Sequence, residues 1–504
     1  MISVFDEGAP PPCPTPFNLA DYVLAAGRRR PERDALLVVG PDNTERWSFA
    51  ALERAVLGTA SGLLSLGLRP GDRVLMRLGN TVDFPLAYLG ALAVGLVPVP
   101  TSAALTEPET QQILTQIAPS AVLRDPAVAS AAHDLTVDLD RLRGFRDLPP
   151  ADYQQGDPEQ LAYVVFTSGT SGRPRAVAHA HRAIWARRMM FDGWYGLQPD
   201  DRLLHAGAFN WTYTLGTGLM DPWTVGAAAL IPAQGTAPDA LPDLLARHKA
   251  TLFAASPGVY RQVLKAERWP SLPTLRHGLS AGETLSDALA ARWRAATGTE
   301  IYEAFGMSEC STFISGAPGQ SQPAGTLGRP QQGRRIALLG PDGPVPIGVE
   351  GTIAVHRSDP GLMLGYLGAA AETAARMQGE WFLTGDHATM TAEGDIAYLG
   401  RTDDMMNAGG VRVSPIEVEA VLAQAPGIAS VAVTDVQLKA DVRVITAFYT
   451  AAAALDEAEL RSYVRERLAH YKQPRLYIHV PELPLGANGK IRRRALQASF
   501  EGQL

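Results

Sequence analysis

Between Ala162 and Gly172 the chain runs through a block of apolar residues, AYVVF, straight into TSGTSG, and only then meets Arg173, Pro174 and Arg175. A buried strand that opens directly into alternating hydroxyl and glycine residues is a strong constraint. The glycines let the backbone turn sharply and point N–H groups into a concavity. The hydroxyls add donors, and an arginine adds charge matched to phosphate oxygens. The spacing is not GxxxxGK[ST], so this is not the Walker-type phosphate loop. A flexible Ser/Gly linker has a similar composition, but here a strand precedes the loop and a helical pattern is expected after it.

The same alternation recurs along the chain. Arg73–Met76, Ala227–Ile231 and Thr251–Ala254 are short apolar runs followed by helical patterns, which implies layered α/β structure with mostly parallel sheets. From about 325 to 400 the character changes. Thr352–His356, Trp381–Thr384 and Ile396–Leu399 are separated by Gly-, Pro- and Asp-rich turns, the pattern of a small β-rich subdomain. After Arg401 a new α+β pattern begins, with a helix at Pro415–Ala425, strands at Ser430–Thr434 and Val444–Tyr449, and a helix at about Asp456–Ala469. The fold class expected is therefore α/β. A large N-terminal body of layered α/β subdomains (1–402) carries the β-rich subdomain, and a small α+β C-terminal domain (403–504) follows.

Composition narrows the function classes. With 46% hydrophobic and 19% charged residues the 504-residue chain is globular. A net charge of −7 does not supply the basic field of a general nucleic-acid binder. Two cysteines, Cys13 and Cys310, build no disulfide framework, and the opening MISVFDEGAPPPCP lacks the regions of a signal peptide, so a cytoplasmic protein is expected. The uncharged stretch Phe84–Thr106 is long enough to span a bilayer, but Pro98 and Pro100 favour a helix at Leu86–Val94 followed by a short buried strand.

The phosphate loop resembles that of the adenylate-forming superfamily, which includes acyl-CoA synthetases, adenylation domains of peptide synthetases, and luciferases. Further motifs follow in order: Ser280–Glu283 (SAGE), Tyr302–Glu309 (YEAFGMSE), Thr384–Asp386 (TGD), Gly400–Glu419 and Pro484–Arg492. The resemblance spans roughly 20–500 and is closest in wording to benzoate-type and medium-chain acyl-CoA synthetases. It implies an ATP-dependent carboxylate–CoA ligase, with ATP and Mg²⁺ used to form an acyl-adenylate and coenzyme A as the thiol that displaces AMP. An aryl or short-to-medium acyl acid is the expected substrate.

The resemblance also implies roles. Thr167, Ser168, Gly169, Thr170, Ser171 and Gly172 wrap the phosphates, with Arg175 where a lysine is usual. Arg grips oxygens as a planar fork rather than a point charge. Ala281, Gly282 and Glu283, then Glu303, Ala304, Phe305, Gly306, Met307 and Ser308, line the nucleotide, with Phe305 stacking on adenine. Glu309 and Thr170 are the expected Mg²⁺ ligands, both hard oxygen donors. Asp386 and Arg401 would hold the ribose, Arg412 the phosphates, and Gly409 and Gly410 coenzyme A. Lys490 is the expected mobile catalytic cation, acting with Arg175 and Thr170, and Asp403 the hinge on which its domain swings. A lysine acetyltransferase acting on Lys490 would silence it by removing the charge. A homodimer is consistent with this reading.

Acid choice is expected to rest on Asn210, Trp211 and Tyr213. A neutral Asn210 leaves an ammonium unpaired and disfavours amino acids. Gly306 stands where acetate-activating relatives place a tryptophan. Its missing side chain is expected to open the pocket, the alternative being a glycine required by a tight turn. His179 and His181 read as packing residues rather than metal ligands, which would need more partners. Two other functions stay open. One is a freestanding adenylation enzyme loading a carrier protein, none being attached before the chain ends. The other is a degenerate nucleotide-binding relative, which the presence of both Glu309 and Lys490 opposes.

Overall fold

The structure is a computed structural model that describes residues 1–167, 174–320, 322–323, 325–401, 406–408, 411–439, 442–468, 470–486 and 491–501. Among these residues the largest sheet has nine strands. Its spatial order is Arg329–Pro330, Ser311–Ser315, Ile301–Met307, His277–Ala281, Leu252–Ala255, Arg202–His205, Ala228–Pro232, Asp34–Val39 and Thr44–Ser48. The six strands from Ile301–Met307 to Asp34–Val39 are parallel, and the outer strands run antiparallel. The inner strands are almost wholly apolar because helices cover both faces, as parallel sheets require. Leu204, Leu230, Phe253 and Trp293 are buried on one face, and Leu203, Leu252 and Leu279 on the other.

A second parallel sheet is ordered Val97–Pro100, Arg73–Arg77, Ala121–Arg124, Thr136–Asp138. The uncharged stretch before it forms the helix Asp83–Ala93, buried throughout its length. Among the described residues no helix is long and apolar enough to cross a membrane. The β-rich part is an antiparallel sheet in which Arg335–Gly340, Gly351–His356 and Trp381–Met390 are central, and the N-terminal strand Val4–Asp6 pairs with Arg335–Gly340 at its edge. In the C-terminal part, Ser430–Lys439 and Val442–Thr450 pair antiparallel and Leu476–His479 joins in parallel. The helix Pro415–Leu422 begins where expected. Ser414 caps it by accepting from the Glu417 N–H at 3.3 Å, with proline in the first turn.

One expectation is corrected. Among the described residues no helix directly follows the phosphate loop. The loop instead joins the antiparallel strands Leu161–Thr167 and Arg175–Ala180, with Thr167 opposite Arg175. The segment RAVAHA is buried on both faces, so it lacks the period-2 contrast that marks a half-exposed strand. Gly365–Tyr366 completes this small sheet.

Candidate functional site

The C-terminal ends of the parallel strands converge on one rim of the large sheet, where open α/β sheets bind ligands. Ser280 and Ala281 pair with Glu303 and Ala304, which lays SAGE beside YEAF. Gly282 follows at φ +95°, a conformation that side chains rarely adopt. A Cβ there would also lie 2.6 Å from the Trp211 ring, so the adenine segment and the expected acyl wall are in direct contact. Trp211 packs edge-on to Tyr213 with centroids 5.1 Å apart, and the Tyr213 hydroxyl donates to the Leu279 carbonyl at 3.0 Å. Asn210 is half-buried in the turn that precedes them. That turn is clamped by Asn80, which accepts from the Phe209 N–H and donates to the Gly207 carbonyl.

Glu303 is half-buried and accepts from the Leu285 N–H at 3.0 Å. Burial pushes its pKa up from 4.5 to about 8, the hydrogen bond opposing this only in part. Between those values the folded protein holds a proton that the unfolded chain has released. Stability should therefore fall as pH rises through that window. Glu303→Gln should flatten the decline in thermal midpoint between pH 5 and pH 8. Parallel profiles for variant and wild type would remove Glu303 as its source.

Phe305 packs against Tyr398 at 5.4 Å and edge-on to Phe313 at 5.5 Å. The Tyr398 hydroxyl donates to Asp386 at 2.9 Å, and Arg401 reaches the same carboxylate at 3.3 Å. Phe305, Asp386 and Arg401 are thus brought together through a tyrosine that motif reading did not single out. Glu309 is buried, and its carboxylate accepts from the Tyr366 hydroxyl at 2.7 Å. Arg175 lies over the Tyr366 ring at 5.4 Å and pairs with Glu372 at 2.8 Å. Burial, reinforced by the Glu309 charge, raises the Tyr366 phenol above its ordinary range, so it stays a donor. The strand pairing that sets Gly365–Tyr366 beside Arg175–Ala180 therefore joins the phosphate loop to the candidate metal carboxylate.

His179 donates from Nε2 to the Ser308 carbonyl at 2.7 Å, and His181 accepts from the Leu19 N–H at 3.1 Å. Burial lowers both to about 4, so they are neutral at pH 7. Among the described residues no group of three or more His, Cys, Asp or Glu side chains gathers as a metal site. A pocket of about 20 Å³ lined by His179, Thr212 and Ser308, among others, has room for about one water. Ser168, Gly169, Thr170, Ser171, Gly172, Asp403, Gly409, Gly410 and Lys490 lie outside the described residues, as does the Arg412 side chain.

The acyl-pocket expectation for Gly306 is corrected. A Cβ on Gly306 would lie 2.5 Å from Thr312 Cα and closer still to the Ser311 carbonyl oxygen. The strand register shifts at Phe305/Gly306, and this bulge brings the two backbones too close for any side chain. The glycine opens no pocket; it permits the hairpin.

These residues are brought together on one layered α/β body. The AMP-binding enzyme family model matches residues 24–367, and the AMP-binding enzyme C-terminal domain model matches 417–490. The chain belongs to the AMP-binding enzyme family. It is similar to benzoate–CoA ligase of Thauera aromatica, 30% identical with 99% of each chain covered. Among solved structures it resembles anthranilate CoA ligase AuaEII in complex with anthranoyl-AMP (TM-score 0.87, 27% identity, covering 98% of this chain and 99% of that one). It also resembles ATP-bound MatB from Rhodopseudomonas palustris (TM-score 0.87, 25% identity, covering 96% and 99%). The protein is an AMP-forming acid–thiol ligase.

Proposed function

We propose that this ATP-dependent carboxylate–CoA ligase acts on an aryl acid. The observation that carries the choice is Trp211: half-buried beside a neutral Asn210, it is backed by the buried Tyr213, which packs in turn on the buried Trp194. Flat apolar surfaces reward a ring. The similarity to a benzoate and an anthranilate ligase supports the same reading. The carboxylate would attack the α-phosphate of ATP to give acyl-adenylate and pyrophosphate, and the CoA thiol would then displace AMP.

Glu309, with Thr170, would hold Mg²⁺. A buried carboxylate fixed by one phenol is the hard, oriented donor that ion prefers. Mg²⁺ would neutralise phosphate charge. Asp386 and Arg401 would hold the ribose and Arg175 a phosphate edge. Tyr366→Phe keeps the ring but frees Glu309 to rotate. It should raise the Mg²⁺ concentration for half-maximal adenylation about tenfold or more; an unchanged Mg²⁺ dependence would detach Tyr366 from the metal.

An acid panel scored by AMP and pyrophosphate release, with CoA, with a carrier protein and with neither, tests the whole reading. Benzoate-type acids with CoA should give the highest kcat/KM. Preference for acetate or hexanoate would overturn the aryl assignment, transfer only to a carrier protein the acceptor, and no release with any acid the catalysis.

A further inference from the structure

Met307 pairs with Ser311, leaving Ser308, Glu309 and Cys310 as a three-residue hairpin loop. The Cys310 N–H closes it by donating to the Met307 carbonyl at 3.2 Å. Three-residue loops classically carry one left-handed residue at a bulge, normally a glycine. Here that residue is Ser311 at φ +64°, one of three non-glycine residues with positive φ among the described residues. A strained serine persists only where its surroundings hold it.

The Ser311 hydroxyl accepts from Nη1 of Arg187. The rest of that guanidinium is a fork on Asp221, at 2.7 Å from Nε and 2.6 Å from Nη2. Arg187 is 8% exposed and Asp221 fully buried. Tyr195 donates to the same carboxylate at 2.8 Å, and Thr217 accepts from Arg187 at 3.2 Å. The absent side chain of Gly216 makes the space for the guanidinium. Asp221 and Thr217 belong to the helical stretch that continues the acyl wall, so one buried cation links that wall to the turn carrying Glu309.

We propose that Arg187 is a positioning residue for adenylation: it holds Ser311 left-handed and thereby sets the turn that presents Ser308 and Glu309 to the nucleotide. A point charge can keep the pair with Asp221 but cannot also supply the fork that reaches Ser311. The inference does not depend on the aryl assignment, since it is tested with whichever acid the panel shows to be turned over.

Arg187→Lys should cut acid-dependent pyrophosphate exchange about 10- to 100-fold, the value of a lost charged hydrogen bond. It should also weaken Mg-ATP binding measured by calorimetry, yet leave thioester formation from preformed acyl-adenylate unchanged. Ser311→Gly, which needs no help at positive φ, should restore exchange and Mg-ATP binding in the Arg187→Lys background to within about threefold. A double variant no better than Arg187→Lys would overturn the proposal, as would Arg187→Lys with wild-type exchange and Mg-ATP affinity. If Arg187→Lys fails to fold by circular dichroism, Ser311→Val decides with Arg187 intact. A loss of exchange and Mg-ATP affinity in it supports the proposal, and wild-type values overturn it.

Discussion

Lys490→Ala is expected to lower acyl-adenylate formation by about two to three orders of magnitude, the scale seen when a preorganised charge-stabilising group is removed, while largely sparing thioester formation from preformed acyl-adenylate. The half-reactions differ in the charge they develop. An anionic carboxylate approaching a polyphosphate needs a cation, whereas thiol attack on a mixed anhydride releases an anion and has no such encounter. Lys490 ends the stretch matched by the AMP-binding enzyme C-terminal domain model, and as that cation it should serve the first step alone. Acyl-AMP release and thioester release, assayed separately, check this. Equal loss in both would refute the division of labour.

The second large effect is at Gly306. Gly306→Trp should abolish adenylation with every acid and lower the thermal midpoint by several degrees, because the new side chain meets backbone rather than space. Overpacking of this kind costs about 1–3 kcal/mol or more, and the backbone it displaces leads directly into Ser308 and Glu309. Differential scanning calorimetry and the acid panel together give the answer. A folded variant that prefers acetate would restore the pocket reading that motif comparison suggested.

Gly306 also shows where sequence reading stops. The motif placed it correctly beside Phe305 and Glu309, but a missing side chain looks the same whether it makes room for substrate or for another strand. Only the pairing with Ser311 and Thr312 decides. Parallel strands such as Arg73–Arg77, Leu252–Ala255 and Ala228–Pro232 were legible within a residue or two because each is a dense apolar run. The strand Trp381–Met390 runs six residues past its expected end because Gly385, at φ +81°, looks like a stop while the ladder continues around a shift in register. Asp386, Glu309 and SAGE carry their signals in neighbouring residues. Tyr366, Tyr398 and Arg187 do not, since each acts on a group 12 to 124 residues away, and nothing adjacent in the chain marks them. Asn80, which clamps the turn before Trp211, is hidden for the same reason.

The N-terminal strand Val4–Asp6 bears on how the protein is made. Asp6 pairs with Arg335 at 2.8 Å across a separation of 329 residues, so once made this strand waits for its partner while 329 further residues are synthesised. At about 5–20 residues per second that wait is roughly 15 to 65 seconds. Until Arg335–Gly340 has been made, the apolar residues Val4 and Phe5 have no strand to pair with.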